Sequence, residues 1–207
     1  MRAAGPNPEK ETAAALILAA GQASRMGSLK QLLPFGEGTL LSNVIQQAQN
    51  AGFDRVAAVV GAEASRVAAD IGQVSVEIIE NPDWELGMGS SIRAGVKRVR
   101  QWRPLPDAIV ILLADQPLIE SRHLLAMRES QRQSHAHIVA AEYGGGYGVP
   151  ALFASDLFDK LEAVPLDAGA RSLLRSGNVP VTGYPLPEAA IDIDTPGDFA
   201  ALKAVRP

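Results

Sequence analysis

Hydrophobic residues recur along this chain in two alternating patterns, which are short continuous runs and longer segments with helical spacing. Aliphatic runs occupy residues 13–20, 55–60, 76–79, 108–114 and 138–141. Short runs of this kind predict β-strands. The 108–114 run is apolar at every position, which is typical of a central strand with both faces buried.

Between these runs, apolar residues stand three or four positions apart, as they do on one face of a helix. The spacing predicts helices over residues 40–48, 62–71, 90–102, 121–133, 155–163, 169–176 and 195–205. Gly52 provides a stop after the first helix, and Pro196 suits the first turn of the last one.

The order of these elements predicts a single α/β domain with a Rossmann-like sheet and helices on both faces. Three consecutive glycines at 144–146 indicate a loop or hairpin, and a further strand is expected at 179–184. A hairpin there makes the predicted sheet mixed, although mostly parallel. We expect residues 13–207 to form the domain and residues 1–12 to form a flexible tail.

Composition narrows the functional classes. The chain has 207 residues and 47% hydrophobic content, which suffices for one core. Its net charge of −4, from 19 basic and 23 acidic residues, argues against nucleic-acid and anionic-membrane partners. The chain has no cysteine, so disulfides and thiolate chemistry are excluded. No apolar run approaches the length of a membrane span, and residues 1–11, which contain Gly5, Pro6 and Pro8, lack the apolar core of a signal peptide. We therefore expect a cytoplasmic location.

Candidate chemistry begins at residues 16–30. The first strand ends there in small residues, and the polar loop that follows carries Arg25, Gly27 and Lys30. Small residues let a ligand approach the backbone, while free N–H groups and two cations suit an anionic group such as a nucleotide triphosphate. The spacing matches neither the dinucleotide motif nor the Walker motif. The alternative is an ordinary turn with solvated charges.

A single acidic residue, Asp115, directly follows the 108–114 run. Ligands of open α/β sheets bind beyond the carboxyl ends of the strands, and a carboxylate at that place can hold Mg²⁺ against nucleotide phosphates. The alternative is an ordinary turn aspartate shortly before Pro117.

A second acidic pair, Asp192 and Asp194, precedes the last predicted helix. Our expectation is that only one of this pair shares a site with Asp115. The alternative for this segment is an N-cap of the helix that starts at Pro196.

Glycines and serines at residues 87–91 precede the third predicted helix. Gly87 lets a planar or anionic ligand approach the backbone, and Ser91 can hydrogen-bond to it, although a serine-capped turn is the alternative. Trp84 suits stacking on a ligand, but a lone tryptophan more often covers local apolar surface. Arg171 suits an anionic acceptor, but a solvated helix face is the favoured interpretation.

The MobA-like nucleotidyltransferases have an N-terminal motif that this chain resembles at Ala19-Ala20-Gly21-x-x-Ser24-Arg25-Met26-Gly27-x-x-Lys30. The resemblance is strongest to the molybdenum cofactor cytidylyltransferases. It implies that this loop, together with Leu18, wraps a triphosphate whose oxygens contact Arg25 and Lys30. It also favours CTP, because the GTP-using branch usually has Ala-Gly-Gly where this chain has Ala19-Ala20-Gly21.

Later segments resemble further motifs of the family in the family's order, so that the resemblance extends over residues 14–203. It implies that Asp115 and Asp194 are the metal ligands, with Asp192 as the fallback. It also implies that the segment Gly87-x-x-x-Ser91-x-x-x-Gly95 reads the pyrimidine. The motifs that it assigns to the acceptor side lie at residues 147–150 and 167–171.

The implied function is transfer of CMP from CTP to the phosphate of the molybdenum cofactor (molybdopterin), with release of pyrophosphate and Mg²⁺ as cofactor. Arg25, Lys30 and Asp115 are then the catalytic residues, and a molybdoenzyme or its chaperone is a further expected partner. The alternatives are a sugar- or polyol-phosphate nucleotidyltransferase and a non-catalytic nucleotide-binding regulator. Asp115 and Asp194 argue against a regulator, because a binder needs no metal-spaced carboxylates.

Overall fold

The computed structural model describes residues 11–21, 29–61, 63–71 and 75–205. The strands in these residues are β1 (Ala13–Ala19), β2 (Pro34–Phe35), β3 (Gly38–Thr39), β4 (Arg55–Val60), β5 (Glu77–Glu80), β6 (Ala108–Leu113), β7 (Ile138–Tyr143), β8 (Gly146–Ala154) and β9 (Thr182–Pro185). The α-helices are α1 (Leu40–Asn50), α2 (Ala64–Ile71), α3 (Met88–Val99), α4 (Ser121–Ser134), α5 (Phe158–Glu162), α6 (Arg171–Arg175) and α7 (Pro196–Val205). Short 3₁₀ helices cover Lys30–Leu32, Trp84–Leu86, Ser155–Leu157 and Pro187–Ala190.

Seven strands form one sheet in the order β5-β4-β1-β6-β8-β7-β9. Strand β8 runs antiparallel to both β6 and β7, whereas the other neighbouring strands pair in parallel. Strand β7 therefore points the same way as β1 and β6. Gly144 and Gly145, both with positive φ, form the turn of the β7–β8 hairpin. The predicted mixed, mostly parallel sheet is confirmed.

Helices cover both faces of the sheet, because successive residues of a strand point to opposite sides. Ala15 and Ile17 of β1 pack into one core with α1, α2 and α4. Ala14 and Leu16 pack into a second core with α3, α5 and α6. Every residue of β1 is buried, as a central strand requires. The predicted Rossmann-like single domain with helices on both faces is confirmed.

The strand order reverses at β1, and this reversal creates a crevice. From β1 the chain moves outward to β4 and β5, then crosses back to β6 on the other side of β1. The connections that leave β1 and β6 therefore diverge at one edge of the sheet. Ligands of open α/β sheets bind at such a place. Ala19 and Leu113 are the last residues of these two strands.

Some boundaries differ from the predictions for local reasons. Helix α2 begins at Ala64 rather than at residue 62, and Glu63 before it has a left-handed φ of 55°. The strand predicted at 179–184 is confined to Thr182–Pro185. The β2–β3 hairpin is missing from the predictions, because arms of two residues each are too short to produce a periodic signal.

The start of the described chain is tied to the domain at Thr12. Its backbone N–H and its hydroxyl both donate to Asp107 Oδ2, at 2.8 and 3.0 Å. Residues 1–10 of the predicted tail lie outside the described residues. Within the described ranges, no helix has the length and apolar character that crossing a bilayer requires.

Helix α3 begins two residues before its predicted start, because a neighbouring loop encloses its first turn. Gly87, which precedes the helix, has a φ of 111° and packs against residues 166–167. A Cβ on Gly89 would collide with the carbonyl oxygen of Pro165. Only a residue without a side chain permits so close an approach, and this contact holds the end of α3 that faces the crevice.

We expect Gly89→Ala to lower the free energy of unfolding by about 1–3 kcal/mol, since the methyl group overpacks against backbone rather than a movable side chain. Gly146→Ala is the matched control, because a Cβ there meets nothing within 4 Å. Its unfolding free energy should stay within about 0.5 kcal/mol of the wild type. Urea denaturation followed by circular dichroism measures both, and equal stability of the two variants would contradict the enclosed turn.

Candidate active site

The crevice beside the ends of β1 and β6 holds a cavity of about 460 Å³. Its lining residues are Leu18, Ala19, Ala20, Gly21, Lys30, Gln31, Trp84, Glu85, Gly87, Met88, Ser91, Leu113, Ala114 and Asp115. The structure thus brings together, on one cavity, the predicted nucleotide-binding residues Leu18, Ala19, Ala20, Gly21, Lys30, Gly87 and Ser91. The remaining predicted ones, Ser24, Arg25, Met26 and Gly27, lie outside the described residues.

Backbone at the end of β1 borders the cavity because the residues there are small. A Cβ at Gly21 would meet nothing within 4 Å. Gln31, which is buried, donates from Nε2 to the carbonyl oxygen of Ala19 at 3.1 Å. This bond ties the 3₁₀ helix that carries Lys30 to the end of the strand, and it therefore helps to position Lys30.

Lys30 joins two acidic segments that are far apart in the chain. Its Nζ lies 2.5 Å from Asp115 Oδ2 and 2.8 Å from Asp194 Oδ1. The side chains of Lys30 and Asp115 are only 20% and 16% exposed, whereas that of Asp194 is 53% exposed. Solvent screens the Lys30–Asp115 contact weakly, so this contact is worth more than a surface ion pair.

The Lys30 ammonium stays protonated at neutral pH. Burial disfavours its charge, but the charge of Asp115 and the hydrogen bonds to Asp115 and Asp194 together outweigh burial. The pKa of Lys30 is therefore raised above its ordinary value. Lys30 is thus a cation of the site.

Both aspartates of the C-terminal pair approach Asp115, so the prediction that only one of them would do so is wrong. The backbone N–H of Ile193, the residue between them, donates to the carbonyl oxygen of Asp115 at 3.0 Å, and residues two positions apart in an extended segment point to the same side. Asp194 reaches Asp115 through Lys30. Burial, followed by the negative charge of Asp115, raises the pKa of Asp192 above its ordinary value. We refer to Asp115, Asp192 and Asp194 as the acidic cluster.

Residues other than this pair cap helix α7. The carboxylate of Asp198 accepts hydrogen bonds from the backbone N–H groups of Asp194 and Thr195, at 3.1 and 2.8 Å. In return, the Asp198 N–H donates to Thr195 Oγ1 at 3.2 Å. Reciprocal bonds of this kind satisfy the start of a helix. The Asp194 side chain is therefore free of the cap and contacts Lys30, while the cap fixes the backbone of Asp194.

The acidic cluster fits a hard divalent cation such as Mg²⁺. In the described part of the chain, Asp115 Oδ1 and Asp192 Oδ1 are buried without a hydrogen-bond partner. The described residues contain no group of three acidic or histidine side chains arranged to hold a metal by themselves. Mg²⁺ in nucleotide sites commonly takes one or two carboxylates and completes its coordination with water and substrate phosphates. The carboxylates present match that pattern.

The wall formed by the start of α3 is held in place by Asn81, which is buried. Its Nδ2 donates to Ser90 Oγ at 2.9 Å and to Ser91 Oγ at 3.1 Å. Gly95, from the same resembled motif, has a packing role instead. A Cβ there would lie 2.5 Å from Leu16 Cδ2, so Gly95 lets α3 pack closely on β1.

The sequence pattern does not single out Gln31, Glu85 or Met88, although all three line the cavity. Glu85 and Met88 lie within two residues of Gly87 in the chain, so their closeness to a predicted site residue could have identified them. The burial of Gln31 against the end of β1 depends on tertiary contact, and no local pattern reports it. Trp84 lines the cavity as well, and it also packs against Gly61.

Arg171 lies beyond the acidic cluster at the same edge of the sheet. Its Nη2 donates to the hydroxyl oxygen of Tyr143, the last residue of β7, at 2.8 Å. Its guanidinium carbon lies 5.6 Å from the centroid of the same ring. The charge of Arg171 counteracts the rise in the pKa of Asp192. The favoured interpretation of a merely solvated helix face is therefore incomplete.

Backbone that lines a cavity, a cation and hard carboxylates at the switch point of an α/β sheet are features that accommodate nucleotide phosphates and a divalent metal. Fold and site together define a nucleotidyltransferase. The chain belongs to the MobA-like NTP transferase domain family, whose model matches residues 15–181. The resemblance to the MobA-like nucleotidyltransferases is thereby confirmed.

Individual relatives cover nearly the whole chain. The purine catabolism protein PucB of Bacillus subtilis (strain 168) is 30% identical over 91% of this chain and 94% of that protein. The molybdenum cofactor cytidylyltransferase of Escherichia coli (strain K12) is 26% identical, with the same coverage of both chains. The crystal structure of Rv0371c from Mycobacterium tuberculosis H37Rv has a TM-score of 0.78 and 29% identity, covering 92% of this chain and 96% of that one. Its complex with manganese has a TM-score of 0.74 and 28% identity, covering 92% and 97%.

A double-mutant cycle of Lys30→Met and Asp115→Asn, measured by urea denaturation in the presence of EDTA, tests the ionic contact at the crevice. We expect a coupling free energy of about 1–3 kcal/mol, because the two groups are in contact and mostly buried. The matched control is the exposed pair Glu63–Arg66, whose side chains are 54% and 64% exposed. Its cycle of Glu63→Gln and Arg66→Met should give less than about 0.5 kcal/mol. Similar coupling in the two cycles would contradict the weak screening of Lys30.

Proposed function

We propose that this protein transfers CMP from CTP to the phosphate of the molybdenum cofactor and releases pyrophosphate. The observation that carries the proposal is the cavity, in which small residues at the end of β1 adjoin protonated Lys30 and Asp115. Such surroundings suit a nucleoside triphosphate with its metal better than a neutral ligand. The choice of CTP rests on the resemblance carried by Ala19-Ala20-Gly21, and the Escherichia coli relative is named for the same reaction.

Transfer requires a phosphate oxygen of the acceptor to attack the α-phosphorus of CTP. The new phosphorus–oxygen bond forms while the bond between the α-phosphorus and the bridging oxygen breaks, and pyrophosphate leaves with that oxygen. The protein contributes positioning and charge neutralisation, and it needs no covalent intermediate of its own. We assign Lys30 to the charge that develops on the departing pyrophosphate, and Arg25 to the same phosphates.

We assign the metal to Asp115 and Asp194, with Asp192 as a further carboxylate of the cluster. When bound, Mg²⁺ supplies charge neutralisation to the phosphate oxygens of the substrates. Lys30 neutralises Asp115 and Asp194 while phosphate is absent. Its ammonium therefore has to exchange carboxylate oxygens for phosphate oxygens when the substrates enter.

We assign the acceptor phosphate to Arg171. Strands β8 and β7 follow β6 in the sheet, so Tyr143 and its partner Arg171 lie on the far side of β6 from β1. In a phosphoryl transfer the attacking and leaving oxygens are roughly in line, so the acceptor enters from the side away from the pyrophosphate. A cation on that side offsets the repulsion between the acceptor phosphate and the acidic cluster.

Pyrophosphate release tests the proposed reaction. We expect release with CTP, Mg²⁺ and the molybdenum cofactor to exceed release with ATP, GTP or UTP, and to require the cofactor. Release only with a sugar or polyol phosphate would replace the proposed acceptor. Nucleotide binding without release in the presence of any acceptor would indicate the regulator instead.

We expect Lys30→Ala and Asp115→Ala each to lower turnover in this assay more than about tenfold, since each removes a charge that acts on the phosphates. Their circular dichroism spectra should match that of the wild type. Lys97→Ala is the control, because Lys97 is an exposed lysine on the outer face of α3. A wild-type turnover in either site variant would remove that residue from the mechanism.

We expect Arg171→Ala to raise KM for the molybdenum cofactor about tenfold, the effect of losing one hydrogen bond to a charged group. KM for CTP should stay unchanged, because Arg171 does not line the cavity. Arg175→Ala, at the other end of α6 and also exposed, is the matched control. Equal changes in both KM values, or no change in either, would contradict the assignment to the acceptor side.

A further inference from the structure

We propose that Trp84 stacks on the base of the bound nucleotide and supplies affinity for it without selecting among bases. The proposal rests on the proposed function, because it presumes that the cavity takes a nucleoside triphosphate. Trp84 is half-buried and lines the cavity together with Gly87 and Ser91. It lies in the short 3₁₀ helix Trp84–Leu86, directly before α3.

The cavity is ionic at one end and aromatic at the other, and this polarity orients a nucleotide. Lys30 and Asp115 mark the end at β6. Trp84 marks the end at β4, because it packs against Gly61, the residue that follows β4. Strand β1 lies between β4 and β6, so two strand spacings, about 10 Å, separate the two ends. A nucleotide whose phosphates bind at Lys30 therefore places its base at Trp84.

Gly61 and Asn81 hold Trp84 against the sheet edge. A Cβ on Gly61 would lie 2.5 Å from Trp84 Cγ and 2.9 Å from the carbonyl oxygen of Ala20. Only glycine therefore lets the indole lie this close to the ends of β4 and β1. Asn81 bonds through its backbone N–H to the Val60 carbonyl oxygen at 2.8 Å, which aligns the segment before Trp84 with β4. An aromatic side chain held in this way is a preformed stacking surface.

The second tryptophan of the chain shows what a purely structural indole does in this fold. Trp102 is buried, its Nε1 donates to Glu77 Oε2 at 3.0 Å, and Arg55 lies over its ring. It lies at the opposite edge of the sheet, near the starts of β4 and β5. Within the described residues, the Trp84 Nε1–H has no such acceptor, and the side chain borders a cavity. Every base has a π-face, so stacking tolerates any nucleotide.

Calorimetric titration in the presence of Mg²⁺, with each of the four NTPs and with inorganic tripolyphosphate, tests the proposal on the full chain. We expect Trp84→Leu to weaken CTP binding about tenfold, a typical loss for one base–aromatic stack. The ratios of the affinities for the four NTPs should stay unchanged, and tripolyphosphate should bind as it does to the wild type. Trp84→Phe should restore most of the affinity. Leu86→Ala, an exposed residue of the same 3₁₀ helix, is the matched control.

Intrinsic tryptophan fluorescence provides a second test, which does not depend on a change in the affinity for CTP. CTP should quench the wild-type emission, and the quenching should disappear in Trp84→Phe, which keeps Trp102. Equal weakening of CTP and tripolyphosphate in Trp84→Leu, or CTP binding without quenching, would overturn the proposal. Quenching by nucleotide without CMP transfer to the cofactor would overturn the proposed function alone, because this test involves no acceptor. Failure of all four NTPs to bind would overturn both.

Discussion

Three segments that are remote in sequence meet at one ammonium group, that of Lys30. The 3₁₀ helix after β1 carries it, the end of β6 supplies Asp115, and the turn before α7 supplies Asp194. Without a cation between them, two carboxylates held this close would repel each other in a poorly screened place. The contact therefore helps to hold the C-terminal segment against the sheet edge, and it also balances the charges of the two carboxylates.

The structure also depends on segments that pack closely against backbone, and glycine makes this possible on both sides of the cavity. Gly89 lets the loop that leads to α6 enclose the first turn of α3, and Gly61 lets Trp84 lie across the ends of β4 and β1. The same crevice is then divided by function. We propose that nucleotide binding belongs to β4, β1 and α3, while Tyr143 and Arg171 lie beyond the acidic cluster, on the side toward β7.

Much of the fold follows from local patterns, because a buried strand such as β6 and an amphipathic helix such as α1 leave clear periodic signals. The small residues at the end of β1 and the position of Asp115 after β6 could likewise be predicted from the sequence. The expectation that only one of Asp192 and Asp194 shares a site with Asp115 is wrong, because residues two positions apart in an extended segment point to the same side. The contacts of Gln31 with Ala19 and of Tyr143 with Arg171 join distant segments, so no local pattern could predict them.

We propose that one crevice takes a nucleotide with its phosphates at Lys30 and leaves the far side of the acidic cluster to the acceptor. A crystal structure of the protein with Mg²⁺ and a non-hydrolysable CTP analogue tests this most directly. We expect the phosphates at Lys30 and Asp115, the base between Trp84 and the Gly87–Ser91 segment, and Arg171 without contact to the nucleotide. Phosphates bound at Arg171, or a base lying over β7, would contradict it.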